Sequence, residues 1–385
     1  MKYWRGYLTA GILGIITLGL MLLAERFSSL VDMFYPYLTR EIQLILAEWS
    51  ASVDFILWQV LVVAIVLAIV ATIVLAITLK WNLIQWLGWV LAGASCIWML
   101  HTAVYGLNYY TGPISEDVRL GNHEFTSEDL TDATIYFRDM ANEMAKTMPR
   151  DENGKLLFDD FETLAVQAGH GFTTLTYQYS GSIFAGSTLP VKKLGWADMY
   201  TSMGITGITM PLTGEAAVNP QIPPISLPFT MCHEMAHRMS IATEDDANFA
   251  AFLACLANES PQFQYSAYYM AFRYCYSALS SAGTAETAAA AARVSLGINK
   301  YLEYDLGQYN KFFSKHRNDT LTNIADSVND TYIKVSGDEN GTASYGQVSI
   351  YLVNWYLEEL VFPFEDEDSN FNPMDKDYIN GALGG

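Results

Sequence analysis

The chain has 385 residues, a hydrophobic content of 51% and a formal net charge of −20. That much apolar sequence is unusual for a purely soluble protein of this length, so membrane-spanning segments are the first thing to look for. The acidic balance argues against nucleic acid and anionic lipid as partners, because both repel a negative surface.

Three long apolar runs occupy the N-terminal part of the chain. They are Gly6–Ala24, Phe55–Leu79 and Leu83–Leu107. Each is long enough for a helix that crosses roughly 30 Å of hydrocarbon. The first run is followed by Glu25 and Arg26 and not by a small-residue cleavage site, so it is predicted to be a span and not a signal peptide.

Basic residues predict the orientation of these spans. Lys2 and Arg5 precede the first span, and Lys80 lies in the short link between the second and third, so the positive-inside rule places all three in the cytoplasm. The prediction is a multi-pass cell-membrane protein with a cytoplasmic N-terminus. Residues 1–106 form the membrane domain and residues 107–385 an extracytoplasmic domain. The first 106 residues carry five basic and five acidic side chains, so the net charge arises from the second domain.

The extracytoplasmic domain begins with a mixture of helical and strand signals. Thr126–Met148 has helical periodicity, with Ser127 as its predicted cap. Phe172–Met210 carries Thr, Tyr, Ile and Gly in short alternating runs and is the strongest β signal of the chain. Its last part, Gly204–Met210, is predicted to be an edge strand that stops at Pro211.

The sequence His233-Glu234-Met235-Ala236-His237 fits the pattern HExxH on a predicted helix that begins near Ser226 and has Pro228 in its first turn. Residues at positions i and i+4 lie about 40° apart around a helix, so two imidazoles at this spacing can bind one metal ion. Glu234 can reach a metal-bound water. The pattern therefore predicts two zinc ligands and a general base within one helix.

A catalytic zinc ion usually has a third protein ligand, and the acidic cluster after the helix supplies candidates. Ser240 and Thr243 stand where the metzincin pattern needs Gly and a ligand, so that class is disfavoured. Glu244 is the favoured third ligand and Asp246 the alternative. Asn248 shares a helix face with Glu244 and is predicted to orient a ligand from outside the coordination sphere.

The remainder of the chain is predicted to be almost entirely helical, with a loose acidic tail from Pro363. Cys255 and Cys275 lie in consecutive predicted helices, where they are either buried thiols or a disulfide pair. The predicted helices are Ala247–Ala257, Phe263–Ser281, Ala285–His316, Leu321–Val335 and Tyr345–Leu360.

The sequence resembles two groups of proteins. The segment Glu244–Phe249 after HExxH is similar to the E-x-E-A-[ND] element of gluzincin-type endopeptidases. Most of the chain resembles an uncharacterised bacterial family of membrane-anchored HExxH proteins, known only as a domain of unknown function. The segments that carry this second resemblance are Tyr105–Tyr110, Met210–Asn219, Leu227–Phe229, Tyr332–Lys334 and Ser344–Gly346. Asp246 departs from the Glu usual in that family, which supports Glu244 as the ligand, and Ser240 departs from the usual Gly.

Together these features predict a zinc-dependent endopeptidase with an α-helical membrane region of three spans. Its extracytoplasmic domain is predicted to be α+β, mostly helical and zincin-like, acting on a protein or peptide. A Tyr, His or Arg should stabilise the oxyanion, and His170, Tyr177 and Arg317 are open candidates. The alternatives are a membrane-anchored zinc-binding sensor or scaffold without proteolytic activity. An intramembrane protease is disfavoured because the HExxH segment is short and flanked by polar sequence.

Overall fold

The computed structural model describes residues 4–336 and 347–361, and this part of the chain is mostly helical. The first helices are α1 Arg5–Arg26, α2 Ser28–Ser50, α3 Leu57–Thr78, α4 Leu83–Val104, α5 Ile114–Asp117, α6 Ser127–Thr147, α7 Phe161–Gln178 and α8 Ala197–Ser202. The later ones are α9 Leu227–Arg238, α10 Glu244–Leu256, α11 Pro261–Ser281, α12 Ala285–Leu296, α13 Lys300–His316, α14 Asp319–Ser336 and α15 Val348–Tyr356.

Within the described residues, three helices are long and apolar enough to cross a membrane, namely α1, α3 and α4. They coincide with the three predicted runs to within a few residues. Helix α1 packs along α4, whereas α3 makes few contacts with either. The backbones of α1 and α4 approach each other closely at Gly6 and Gly88, since a Cβ on Gly6 would lie 2.4 Å from the carbonyl carbon of Gly88. Small residues at such a crossing let two apolar helices pack backbone to backbone.

Helix α2, between the first two spans, was not predicted from the sequence. It packs against α9 and the three-stranded sheet, and against a 3-10 turn at Gly106–Tyr110 that follows α4. Residues 28–50 therefore lie on the same side of the spans as the C-terminal domain, as an arrangement of three crossings requires. The division at residue 106 stays a prediction, but α2 is packed into the second part of the chain.

The sheet is small and lies beside α9. Its strands are β1 Lys192–Lys193, β2 Gly207–Met210 and β3 Glu215–Val218, in the order β1-β3-β2. Strand β3 is central, pairing parallel with β1 and antiparallel with β2. Strand β2 therefore forms an edge of the sheet, as predicted, and ends before Pro211.

Most of the strand prediction for Phe172–Met210 was wrong, because Thr173–Tyr177 belongs to α7. Asp160 caps this helix by accepting from the backbone N–H of Thr163 at 2.8 Å. Gly169 and Gly171 then allow α7 to approach the backbone of Thr188 and Ala254 closely. Tertiary packing thus overrides the strand preference of Thr and Tyr.

Other predictions need smaller corrections. Thr126, and not Ser127, caps α6, because its hydroxyl and the Asp129 carboxylate form a reciprocal capping box. The helix predicted over Ala285–His316 is two helices, since Asn299 accepts from two backbone N–H groups and starts α13.

The four cysteines are free thiols, so Cys255 and Cys275 form no disulfide. The helix predicted from Tyr345 is described only from residue 347 onward, as α15 and a following π-helical turn, Leu357–Val361. The tail from Pro363 and the segment Ser344–Gly346 lie outside the described residues.

The main core surrounds α9, α10 and α11. Helix α10 is buried over almost its whole length, from Asp245 to Cys255. Packing on every side fixes α9 and α10 relative to each other, and these two helices carry the predicted site.

Candidate metal centre

Helix α9 holds the HExxH residues in a fixed orientation. It is only 12 residues long, but nearly all of it is buried, with Pro228 in the first turn as predicted. The Ser226 hydroxyl makes no capping bond to the helix and bonds instead to the carbonyl of Pro223 at 2.9 Å. The helix is therefore held by its neighbours and not by its cap.

Three predicted ligands meet at one point. The Nε2 atoms of His233 and His237 are 3.1 Å apart. The Glu244 carboxylate, from the first turn of α10, places Oε2 3.3 Å from Nε2 of His233 and Oε1 3.7 Å from Nε2 of His237. Within the described residues this is the one group of three or more His, Cys, Asp or Glu side chains with such convergent ligand atoms.

The spacing of these atoms fits zinc. Zn–N and Zn–O bonds of about 2.0–2.2 Å in a tetrahedral site place the ligand atoms roughly 3.3–3.5 Å apart. Two imidazoles and one carboxylate are also a donor set found in catalytic zinc sites, where a fourth position is left for water. All three side chains keep some exposure, from 12% to 21%, so the centre is reachable from solvent.

The orientation of His237 is set by the main chain. Its Nδ1 lies 2.8 Å from the carbonyl oxygen of Ile241. A carbonyl can only accept, so Nδ1 carries a proton and Nε2 is the nitrogen turned toward the centre. By contrast, the buried Nδ1 of His233 has no hydrogen-bond partner among the described residues.

The other two predicted site residues are engaged elsewhere. The side-chain oxygen of Asn248 accepts from the hydroxyl of Tyr274 at 3.1 Å, and among the described residues no hydrogen bond joins it to His233, His237 or Glu244. Thr243 caps α10, since its hydroxyl accepts from the backbone N–H of Asp246 at 3.4 Å. The same hydroxyl donates to the Asp246 carboxylate at 2.6 Å, and that carboxylate also accepts from the backbone N–H of Ile114 at 3.2 Å. The Asp246 carboxylate therefore ties α5 to α10 and lies outside the three-residue group.

Glu234 is buried and held by the edge strand β2. The Thr209 hydroxyl donates to its carboxylate at 2.8 Å. A Cβ on Gly207 would lie 2.4 Å from Oε1 of Glu234, so only glycine leaves room for this side chain. Sequence reasoning missed both residues, although they lie in the strand that it predicted to be an edge.

The imidazoles and carboxylates of the centre shift one another's pKa values. Burial lowers the pKa of His237, but the Glu244 carboxylate outweighs this and leaves that pKa at about 9. Burial would raise the pKa of Glu244, yet hydrogen bonds from His233 and His237 bring it well below its usual range. For Glu234, burial is the largest effect and raises the pKa despite the two imidazoles and Thr209.

Three tyrosines close to the centre were not singled out as site residues from the sequence. They are Tyr105 and Tyr109, which follow α4, and Tyr332 of α14. Burial raises the pKa of each hydroxyl, to about 12 for Tyr332, and the negative charge of Glu244 contributes to each shift. The Tyr332 hydroxyl also lies 3.0 Å from Nε2 of His101, in the last turn of α4.

The three side chains that the sequence left open as oxyanion candidates are exposed or engaged elsewhere. His170 and Tyr177 are exposed on α7, and Arg317 makes ion pairs with Asp319 and Asp326. The segments that carry the family resemblance include Tyr105, Tyr109 and Tyr332. That resemblance was the sequence feature that could have identified these tyrosines as site residues.

The turn after α9 forms without the glycine that is usual there. Ser240 adopts a left-handed φ of 72°. The backbone N–H of Ile241 then bonds back to the carbonyl of Ala236 at 3.2 Å. This closed turn presents the Ile241 carbonyl to His237 and starts the short link to Glu244.

Comparison with known proteins gives one family match. The model of a family described as "Protein of unknown function (DUF3810)" matches residues 31–353. No curated protein and no solved structure matches the chain.

Proposed function

The chain belongs to this family of unknown function, and we propose that it is a membrane-anchored, zinc-dependent endopeptidase. The observation that carries the proposal is the convergence of His233, His237 and Glu244 beside a buried Glu234. A purely structural zinc site has no use for a base held in place next to its ligands. A hydrolase needs one.

The ligands and the base have separate roles. His233, His237 and Glu244 would hold Zn²⁺, which when bound lowers the pKa of water and polarises a carbonyl. Glu234 accepts a proton from the attacking water and then passes it to the leaving amine. The raised pKa of Glu234 brings it closer to that of a base that must also act as an acid near neutral pH.

Strand β2 supplies a place for an extended peptide. It pairs with β3 on one side only, and within the described residues its other edge has no strand partner. A substrate backbone can add to such an edge by main-chain hydrogen bonds. Because Gly207 and Thr209 of β2 also contact Glu234, a peptide bound there would pass next to the base. This juxtaposition of strand, HExxH helix and glutamate ligand supports a zincin-like domain.

The three tyrosines near the centre, Tyr105, Tyr109 and Tyr332, include a donor for the oxyanion, a role that the sequence left unassigned. The Tyr105 hydroxyl donates to the carbonyl of Ile241 at 3.5 Å, so it is less available to another acceptor. Tyr109 and Tyr332 interact with each other and with the charge of Glu244. Both hydroxyls stay protonated at neutral pH, as a donor to a developing oxyanion must. We assign this role to one of these two residues.

The positions of Lys2, Arg5 and Lys80 support a cytoplasmic N-terminus and an extracytoplasmic catalytic domain. Proteins or peptides on that side of the cell membrane are then the substrate class.

The test uses the full-length chain in detergent or nanodiscs, because α2 is packed against the second domain. Zinc content is measured by elemental analysis for the wild type and for Glu244→Ala, Asp246→Ala and Glu234→Gln. We expect one zinc per chain, lost in Glu244→Ala and retained in the other two. Hydrolysis of a fluorogenic peptide library is measured in parallel and should be lost in Glu234→Gln.

Two results would contradict the proposal. Well-folded wild-type protein that takes up no zinc would exclude the metal centre. Zinc binding without hydrolysis, unchanged by Glu234→Gln, would favour a membrane-anchored zinc-binding sensor or scaffold.

A further inference from the structure

Helix α2 has an unusual distribution of polar and apolar residues. The face turned toward the domain buries Thr39, Gln43 and Ser50. Thr39 and Gln43 make hydrogen bonds there, to Asn108 and to the carbonyl of Pro211. The opposite face exposes an apolar stripe, which consists of Leu30, Phe34, Leu38, Ile45 and Trp49, each more than half exposed.

This apolar stripe runs along one face of the helix in two segments, Leu30–Leu38 and Ile45–Trp49. At about 100° per residue its five members fall within an arc of about 100°, over about five turns. Glu41 and Glu48 are also exposed and lie on the Leu30 side of this arc, within about 20° of Leu30 around the helix axis. An exposed apolar surface of this length calls for a covering partner.

Both ends of α2 are fixed at the ends of membrane spans. Only Phe27 separates its start from the end of α1. At the other end, the Lys192 ammonium donates to the carbonyl of Ser50 at 2.8 Å and to that of Phe55 at 3.0 Å, which holds the end of α2 beside the start of α3.

The start of α3 is fixed in turn by the domain. The Glu215 carboxylate accepts from the backbone N–H groups of Leu57 and Trp58, at 2.8 and 2.9 Å, and pairs with Lys192.

These anchors determine how α2 lies. It has 23 residues and is therefore about 34 Å long. If α2 stood upright, one end would lie about 34 Å above the membrane surface. Since each end adjoins a span on the same side, α2 must instead run roughly parallel to that surface. Its domain-facing side is already occupied, so its apolar stripe can face the bilayer.

We propose that α2 is an interfacial helix that inserts its apolar stripe into the headgroup–acyl boundary of the bilayer. Leucine and phenylalanine would lie in the acyl region, with Trp49 at the level of the headgroups. Because the negative charges of Glu41 and Glu48 oppose anionic headgroups, the bilayer that suits this face is a zwitterionic one, such as phosphatidylcholine. This inference does not depend on the proposed enzymatic function. It places the domain that carries β3 and α9 directly on the membrane surface.

The test measures collisions of nitroxide spin labels with oxygen and with a water-soluble nickel chelate. Labels are attached at Leu38→Cys and Ile45→Cys in the full-length chain with Cys96→Ala, because the other three cysteines are buried. Leu296→Cys is the matched control, an exposed leucine on α12, which is not a membrane span. Size-exclusion profiles and circular dichroism check that each variant is folded.

In phosphatidylcholine nanodiscs, we expect oxygen collisions to exceed nickel collisions at positions 38 and 45 and the reverse at position 296. A label at position 38 that the nickel chelate reaches as readily as at 296 would show that the stripe faces water and overturn the proposal. Labels at 38 and 45 that are immobilised and reached by neither reagent would mean that a protein covers the stripe, which also overturns it.

Discussion

His237 and Tyr105 share one hydrogen-bond acceptor, the main-chain carbonyl of Ile241. The distance from Nδ1 of His237 is 2.8 Å and from the Tyr105 hydroxyl 3.5 Å. The first is a strong hydrogen bond and the second lies at the limit of one. A predicted ligand of the candidate centre is thus linked, through one carbonyl, to the residue that directly follows α4, one of the three helices long and apolar enough to cross a membrane.

The difference between these two distances predicts the effect of Tyr105→Phe. Because the stronger bond to His237 remains, zinc affinity should change by less than the ~10–100-fold typical when a ligand loses its orienting partner. Competition with a calibrated zinc chelator measures this affinity. His237→Ala serves as the comparison and should lose binding altogether. A loss in Tyr105→Phe as large as in His237→Ala would show that the tyrosine itself orients the site.

Glu234→Gln should separate catalysis from metal binding. The amide keeps the shape of the side chain but cannot take a proton, so the peptide hydrolysis rate should fall by about 10²–10⁴-fold, the usual contribution of a general base. Zinc content should stay at the wild-type value, because Glu234 is not among the three converging ligands. A variant that loses zinc together with activity would mean that Glu234 has a structural role in the centre.

Strand β2 should control the position of that base. Gly207→Ala would force the Glu234 carboxylate away, because the added Cβ would lie 2.4 Å from Oε1. We expect hydrolysis to fall with little change in zinc content. Thr209→Val removes the hydroxyl that donates to Glu234 and should have a smaller effect of the same kind. Thr213→Val, on the turn that follows β2, is the control and should retain wild-type activity.

The sequence predicted the parts of this centre that depend on local spacing. HExxH on one helix fixes His233 and His237 on one face, and the acidic start of the next helix supplies Glu244. The choice between Glu244 and Asp246 could not be made from spacing alone. It depends on how α5 packs against α10, since Ile114 engages Asp246.

Other features required the tertiary structure. The sequence of α2 mixes charged and apolar residues, and its polar positions are buried because Asn108 and Pro211 supply partners from distant parts of the chain. Tyr332 likewise reaches the centre from a helix nearly 90 residues beyond Glu244. The strand prediction for Thr173–Tyr177 was wrong because Gly169 and Gly171 allow this segment to pack closely against its neighbours as a helix.

Zinc binding should raise the free energy of unfolding by an amount that grows with the ratio of the zinc concentration to the Kd. A ligand at 100 times its Kd adds about 2.7 kcal/mol to the free energy of unfolding. Thermal unfolding in detergent should therefore shift upward when zinc is added to the chelator-treated wild type and to Glu234→Gln. Glu244→Ala should show no shift. An equal shift in all three proteins would indicate zinc binding at some other place.

Ser240→Gly should stabilise the protein. A non-glycine residue in the left-handed region costs roughly 1 kcal/mol, and the Ser240 hydroxyl is buried without a partner among the described residues. We expect glycine to raise the free energy of unfolding by about 1 kcal/mol, since it removes the Cβ that opposes this conformation. Ser240→Ala is the control, because it removes the hydroxyl but keeps the Cβ, and should gain less. If alanine stabilises as much as glycine, the buried hydroxyl and not the backbone is the source of strain.

Glu215 should be a main point of attachment between the membrane spans and the domain. Its carboxylate is fully buried and accepts from two N–H groups at the start of α3 while it pairs with Lys192. Glu215→Gln leaves the Lys192 charge without its partner, and breaking a buried pair in this way typically costs about 3–5 kcal/mol. The apparent melting temperature should fall accordingly. Glu162→Gln removes the exposed partner of the neighbouring Lys193 and should leave the melting temperature unchanged. Equal effects of the two substitutions would show that the Glu215 pair contributes no more than an ordinary surface pair, and that the start of α3 is held by the apolar contacts of Ile56 and Trp58 instead.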